Sequence, residues 1–135
     1  MTALPDDVRA LFEGANYAHL ATVLPSGAPH SVPVWTGMEG DRVVFFTQPA
    51  SRKARNLARD PRVAFSITDH DQPYRMAQIR GHVVETVEGE AALEIIDRLA
   101  VKYTGNPFPM RTGIVFLIGP SKVQSMTLPF AHAPA

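Results

Sequence analysis

The chain contains no cysteine. That excludes disulfides, thiol nucleophiles and thiolate metal sites, and it suits a reducing, cytoplasmic setting. Neither charge is in excess, with 13 Lys and Arg against 13 Asp and Glu. A nucleic-acid binder needs a basic surplus to meet the phosphate backbone, so no polynucleotide partner is expected. No apolar run reaches the roughly 18 residues of a membrane span. The first residues, Met1 to Asp7, are acidic and lack the basic and apolar regions of a signal sequence, so a cytoplasmic location is expected.

A self-sufficient catalytic apparatus is missing too. His19, His30, His70, His82 and His132 never fall at His-x-x-x-His or Glu-x-x-His spacing, so no metal site is expected. Ser26 and Ser31 lack the strand–nucleophile–helix setting of an acyl-transfer serine. The carboxylates scatter over helix faces and turns without forming an acid–base pair. If the chain is an enzyme, a cofactor brings the chemistry, and the protein supplies binding and orientation.

What remains is one domain, 1–135, of short strands and segregated helices. Pro5 to Phe12 reads as a helix with Pro5 at its first position and Gly14 at its end. Tyr17 to Val23 alternates as a strand, and Gly27 provides the positive φ of the turn that follows. His30 to Met38 is the next strand. Pro33 removes a ladder donor there, which places the strand at an edge or a bulge. A hairpin at Glu39-Gly40-Asp41 leads into Arg42 to Thr47, and the three strands form a meander.

Arg62 to Asp69 and Tyr74 to Val87 are strands, the second interrupted at Gly81 by a bulge or a close backbone approach. Glu88 to Thr104 is a helix with Leu93, Ile96, Leu99, Ala100 and Tyr103 on one face. Gly113 to Gly119 is a central strand that Pro120 breaks, and Ser121 to Leu128 forms a final strand. Together these predict an α+β, mainly β, antiparallel barrel of six to seven strands with about three helices.

One segment stands apart. Residues 47–62 carry five basic residues, Arg52, Lys53, Arg55, Arg59 and Arg62, against the single acid Asp60. Ser51 to Arg59 reads as a short helix with Ala54, Leu57 and Ala58 as its apolar stripe, stopped by Asp60-Pro61. A basic helix between strands is either a solvated face or a phosphate seat, since its first-turn N–H groups lack partners and its dipole favours anions. In a chain of zero net charge, a local basic patch matches a small anionic ligand better than a polymer.

The blocks Ala18-His19-Leu20-Ala21-Thr22-Val23, Ser26-Gly27-Ala28-Pro29 and Val32-Pro33-Val34-Trp35 occur in a telling order with Thr47, Ser51 to Leu57 and Asp60 to Val63. In order and spacing they resemble the flavin and deazaflavin oxidoreductases of the pyridoxamine-phosphate-oxidase-like split β-barrel. The pattern is most similar to the small actinobacterial branch that uses the deazaflavin coenzyme F-420. The resemblance implies a homodimer with two cofactor sites between the subunits, and hydride transfer from the reduced cofactor to an unsaturated small-molecule acceptor. It implies a phosphate seat at Ser51, Arg52 and Lys53, with Asn56 nearby. It runs Val32, Pro33, Val34 and Trp35 beside the ring system, where Trp35 reads equally as a core or dimer-interface aromatic.

Thr47 reaches the phosphate or ribityl chain, or is a plain strand-end threonine. Met76, Gln78 and Arg80 line the groove of their own or the second subunit, while Arg80 reads also as a surface cross-strand charge. The resemblance further implies that Met126 and the tail near Phe130 complete the site across the dimer. FMN is the alternative cofactor, for an oxidoreductase or a flavin-binding protein. A haem or tetrapyrrole carrier, with His19, His30 or His82 as axial ligand, is a more distant reading. The additional C-terminal arginine and histidine motif of pyridoxamine-phosphate oxidase proper is not found before Leu128 to Ala131, so that activity is not expected.

Overall fold

The structure, a computed structural model, describes residues 2–133. Among them form α1 (Asp6–Glu13), β1 (Ala18–Val23), β2 (Pro29–Val34), β3 (Gly37–Glu39), β4 (Arg42–Thr47), α2 (Arg52–Arg59), β5 (Arg62–Thr68), β6 (Arg75–Val87), α3 (Gly89–Thr104) and β7 (Ile114–Thr127). The strands pair in the order β2-β1-β5-β6-β7-β4-β3, every pair antiparallel. This is the mainly β split barrel that the strand and turn pattern predicts.

The two ends of that order, β2 and β3, are consecutive in the chain. Only Trp35 and Thr36 separate them. Residues 29–39 thus pair with β1 through their first half and with β4 through their second, drawing the two sheet edges together. The expected single strand from His30 to Met38 is therefore two strands, and the expected three-stranded meander is bent at its middle strand, pairing with β1 on one side of Trp35 and Thr36 and with β4 on the other. Pro33 does lie on an edge strand, opposite His19 of β1, where its missing N–H costs no ladder bond.

A second departure concerns Pro120. The sequence predicts a break there, yet β7 runs through it from Ile114 to Thr127. Gly81 lies opposite Pro120, and the register shifts between Arg80 and Gly81. The missing N–H thus falls where the ladder is already irregular. A Cβ on Gly81 would collide with the Gly119 carbonyl, which is the close backbone approach that an isolated strand glycine implies.

Two apolar clusters result. Val8, Leu11 and Phe12 of α1 pack with Leu20, Phe45, Phe65 and Ile79 to fill the barrel. On the opposite sheet face, Ala92, Ile95, Ile96 and Leu99 of α3 cover Val44, Val115 and Leu117. β4 and the first half of β7 are therefore buried on both faces, which accounts for their continuous apolar runs. Leu93 is only half-buried, so the sealing stripe of α3 is rotated from the predicted one. Each fully buried large side chain contributes about 1.5–3 kcal/mol. No helix among the described residues is long and apolar enough to cross a membrane.

Candidate functional site

The α2 helix starts where Ser51 Oγ accepts the Ala54 N–H at 3.1 Å, a side-chain N-cap. Ala54 and Leu57 face the core, but Ala58 is exposed and does not extend the stripe as predicted. Asn56 takes that inward place, fully buried. Its Nδ2 donates to Thr22 Oγ1 at 3.0 Å, and its Oδ1 accepts from Arg52 at 3.4 Å. A polar residue is tolerated there because both ends of its amide are bonded. Arg59 donates to the Val23 carbonyl, and Asp60 chelates Arg62 through both carboxylate oxygens. Those bonds hold the Asp60 carboxyl down at about 2.

The start of α2 is different. Among the described residues no carboxylate pairs with Arg52, Lys53 or Arg55, whereas Arg9, Arg42, Arg62, Arg75, Arg98 and Arg111 all have one. The backbone N–H groups of Arg52 and Lys53 are first-turn donors without intrahelical acceptors. Thr47, buried at the end of β4, donates its hydroxyl to Ser51 Oγ at 2.9 Å. Ser51 Oγ then accepts twice, leaving its own proton as the remaining donor. The result is a compact set of N–H, O–H and cationic groups with no carboxylate paired to them among the described residues.

Lys53 also borders an open concavity of about 310 Å³ that it shares with Tyr17, Pro33, Val34, Trp35, Phe46 and Phe108. This wall is aromatic by construction. Trp35 meets Phe46 edge-on at 6.1 Å and Phe108 at 6.3 Å, while Phe46 and Phe108 meet edge-on at 5.0 Å. Edge-to-face packing of this kind rigidifies an apolar surface. The structure thus joins Pro33, Val34, Trp35 and Lys53 at one groove, with Thr47, Ser51 and Arg52 at the start of the same helix. Val32 is half-buried and packs against the barrel core.

Met76, Gln78 and Arg80 are elsewhere. They lie on the outer face of β6, where side chains of neighbouring strands align in rows. Met76 lies opposite Met126, Gln78 opposite Gln124 and Arg80 opposite Lys122. Gln78 Nε2 donates to Gln124 Oε1 at 2.8 Å. Across β5 the rows continue to Thr68, Ser66 and Ala64, and His19 of β1 lies opposite Ser66. A groove of about 600 Å³ runs over this face past His19, Gln78 and Met126. In a single chain it is separate from the Trp35 wall. Phe130 of the tail packs on Tyr74 at 5.3 Å. His30 Nδ1 is buried without a hydrogen-bond partner.

The sequence reading missed Lys102 as a site neighbour and took Tyr103 only for an apolar-face residue. The Tyr103 ring stacks on Trp35 at 5.2 Å and 7°. Its phenol donates to the Asn16 carbonyl at 2.5 Å and accepts from Thr36 N–H at 3.1 Å. Lys102 Nζ donates to the carbonyls of Thr36 (2.5 Å) and Phe12 (3.1 Å). Burial, aided by the Arg98 charge, pushes Lys102 down to about 8, and burial raises Tyr103. The available signal was the tyrosine hydroxyl on an apolar helix face, since a buried phenol needs a partner.

Fold and groove together define a split β-barrel of the flavin and deazaflavin oxidoreductase class. Residues 4–124 match the pyridoxamine 5'-phosphate oxidase family, and the chain belongs to it. Among solved structures, an F420 reductase is similar at 28% identity and TM-score 0.78, with 90% of this chain and 98% of that one covered. A conserved hypothetical protein from Mycobacterium tuberculosis aligns at 24% identity and TM-score 0.79, covering 100% and 94%. A putative pyridoxamine 5'-phosphate oxidase from Listeria innocua aligns at 21% and TM-score 0.70, covering 89% and 95%. No curated protein matches the chain.

Proposed function

We propose that the chain is a cytoplasmic, homodimeric F-420-dependent oxidoreductase, each copy a single cofactor-binding domain. The observation that carries this reading is Lys53, which belongs both to the carboxylate-free start of α2 and to the aromatic groove of Trp35, Phe46 and Phe108. A cofactor with an anionic phosphate and a flat, largely apolar ring needs those two surfaces side by side. Ser51, Arg52 and Lys53 fit the phosphate, by one hydroxyl, two backbone N–H groups and two cations. Pro33, Val34 and Trp35 fit the ring. The similarity to an F420 reductase supports the deazaflavin over a flavin.

When bound, the deazaflavin supplies a hydride to an electron-poor double bond in a small-molecule acceptor. The chain's own contribution is to hold acceptor and ring face to face, about 3–3.5 Å apart, and to keep water out. A donor beside the acceptor, or solvent, supplies the proton. The outer face, with its rows from Met76 to Arg80, is offered to a second copy. That arrangement brings Met76, Gln78 and Arg80 towards a cofactor held on the other subunit.

FMN is the second reading, because the start of α2 fits a single phosphate equally well and the family match extends over most of the chain. Titration of the pure protein with FMN and with F-420, followed by absorbance, separates the two. Lys53→Ala should weaken the preferred cofactor by tenfold to a hundredfold, the loss of a charge-assisted bond of about 1.5–3 kcal/mol. Unchanged affinity in that variant would sink the phosphate seat. Binding of FMN without affinity for F-420 would replace the cofactor.

A further inference from the structure

The barrel's two edges meet at Trp35 and Thr36, and neither residue belongs to a strand. Thr36 is fully buried, so its backbone groups need partners that the sheet does not provide. Both partners are side chains from the last turn of α3. Tyr103 Oη accepts from Thr36 N–H at 3.1 Å, and Lys102 Nζ donates to Thr36 C=O at 2.5 Å. Each of these side chains is tied down a second time on α1 or just after it: Tyr103 at the Asn16 carbonyl (2.5 Å), Lys102 at the Phe12 carbonyl (3.1 Å). The Tyr103 ring then lies parallel to the indole of Trp35, 5.2 Å away, with Lys102 Nζ 4.9 Å from the phenol centroid.

Trp35 faces two ways. One face is stacked on Tyr103, while the ring borders the groove beside Lys53 and Phe46. Its position in the groove is therefore fixed from behind by a stack and from the side by the pinned Thr36 peptide. A backbone link between strands would ordinarily be one of the looser parts of a barrel. Here the link carries the only tryptophan of the chain, and two side-chain-to-backbone bonds at Thr36 and one stack on Trp35 hold it. A brace for stability alone would not need the flat ring-on-ring arrangement, since any apolar side chain could cover the back of Trp35.

We propose that Lys102 and Tyr103 form a positioning clamp that sets the Trp35–Thr36 link, and through it the fit of the groove to a flat ring. The proposal rests on the cofactor reading above for its ligand, but not for its geometry. Tyr103→Phe keeps the stack and removes the hydroxyl bonds. Tyr103→Leu removes both. Lys102→Met keeps the side-chain length and removes the two carbonyl bonds.

Because Trp35 is the only tryptophan, its emission and its quenching by acrylamide report the link directly, with no cofactor present. In folded variants, quenching should rise in the order wild type, Tyr103→Phe, Tyr103→Leu, and should also rise in Lys102→Met. Affinity for whichever of FMN and F-420 the wild type binds should fall about tenfold in Tyr103→Phe and in Lys102→Met, with Lys53→Ala as the reference for loss of the phosphate seat. Unchanged Trp35 emission and quenching in these variants would overturn the clamp. So would a changed Trp35 signal with cofactor affinity intact, which would leave Lys102 and Tyr103 as a brace only. If Tyr103→Leu does not fold, Tyr103→Phe, which deletes a single oxygen, decides alone. A wild type that binds neither cofactor removes the cofactor reading, and the clamp then stands or falls on Trp35 quenching.

Discussion

Thr47 and Ser51 share a hydrogen bond of 2.9 Å in which the Thr47 hydroxyl donates and Ser51 Oγ accepts. Since Ser51 Oγ also accepts the Ala54 N–H, its own proton is aimed away from the helix. Ser51→Ala removes the cap and the outward donor together. It should lower stability by about 1 kcal/mol and weaken cofactor binding as well. Thr47→Val removes only the bond that orients the serine, so it should weaken binding less than Ser51→Ala does. Thermal melts with parallel cofactor titrations check both. A Ser51→Ala protein that loses stability but binds as wild type would reduce Ser51 to a helix cap.

Asn56 belongs to the same helix and has a different role. Fully buried, it bonds Thr22 of β1 and receives Arg52, so it seats α2 on the barrel without facing the groove. Asn56→Ala would leave the buried Thr22 hydroxyl without its donor, at a cost of about 1–3 kcal/mol. Denaturant unfolding should show that loss, while Lys53→Ala should move affinity with little change in stability. Full stability in Asn56→Ala together with lost binding would make Asn56 a ligand-contacting residue.

Much of this was legible in the sequence. Periodicity located the helices and most strands, Ser51 declared a cap, Pro33 an edge and Gly81 a close approach. What escaped were features set by partners distant in the chain. Trp35 and Thr36 alternate correctly for a strand, and only Lys102 and Tyr103, 66 or more residues later, supply the bonds that replace one. Pro120 reads as a breaker until Gly81 is seen opposite it. Asn56 is expected beside the phosphate seat because nothing local reveals Thr22 beneath it. The site divided for a similar reason: β2, β4 and α2 build the Trp35 groove, while the equally polar outer row of β6 faces the other way.

The pairing of Gly81 with Pro120 gives a test of the barrel itself. An alanine Cβ at Gly81 would meet the backbone carbonyl of Gly119, which cannot rotate aside as a side-chain tip would. β6 or β7 would have to shift at the point where their register already changes. Gly81→Ala should therefore be strongly destabilising, by about 1–3 kcal/mol or more as for other overpacked sites. By contrast, a Cβ at Gly27, on an open turn, meets no atom, and Gly27→Ala should cost only the strain of its positive φ. Equal melting temperatures for the two variants would contradict the close approach.

Lys102 makes stability depend on pH in a direction opposite to that of a lysine whose pKa is raised by an ion-pair partner. Its pKa lies at about 8 in the folded chain against 10.5 ordinarily, first because burial penalises the charge and second because Arg98 repels it, with Glu13 partly offsetting. Arg9 of α1 borders the same pocket, with its charge shared by Glu13 and Asp41. Tyr103 is raised above its ordinary 10.0 and stays neutral through this range. Between pH 8 and 10.5 the unfolded chain holds a proton on Lys102 that the folded chain has released, so stability from this group rises with pH across that window. Below pH 8 both states are protonated and the full burial penalty is present. Lys102→Met cannot titrate, and it lacks the bonds to the Phe12 and Thr36 carbonyls at every pH. Melting temperatures of the two proteins, taken from pH 7 to 10, should therefore diverge, with the wild type gaining on the variant as pH rises. The gain is muted because the ammonium is partly open to solvent. A difference that stays flat would show that Lys102 titrates as an ordinary surface lysine, and one that shrinks would show its pKa raised instead of lowered.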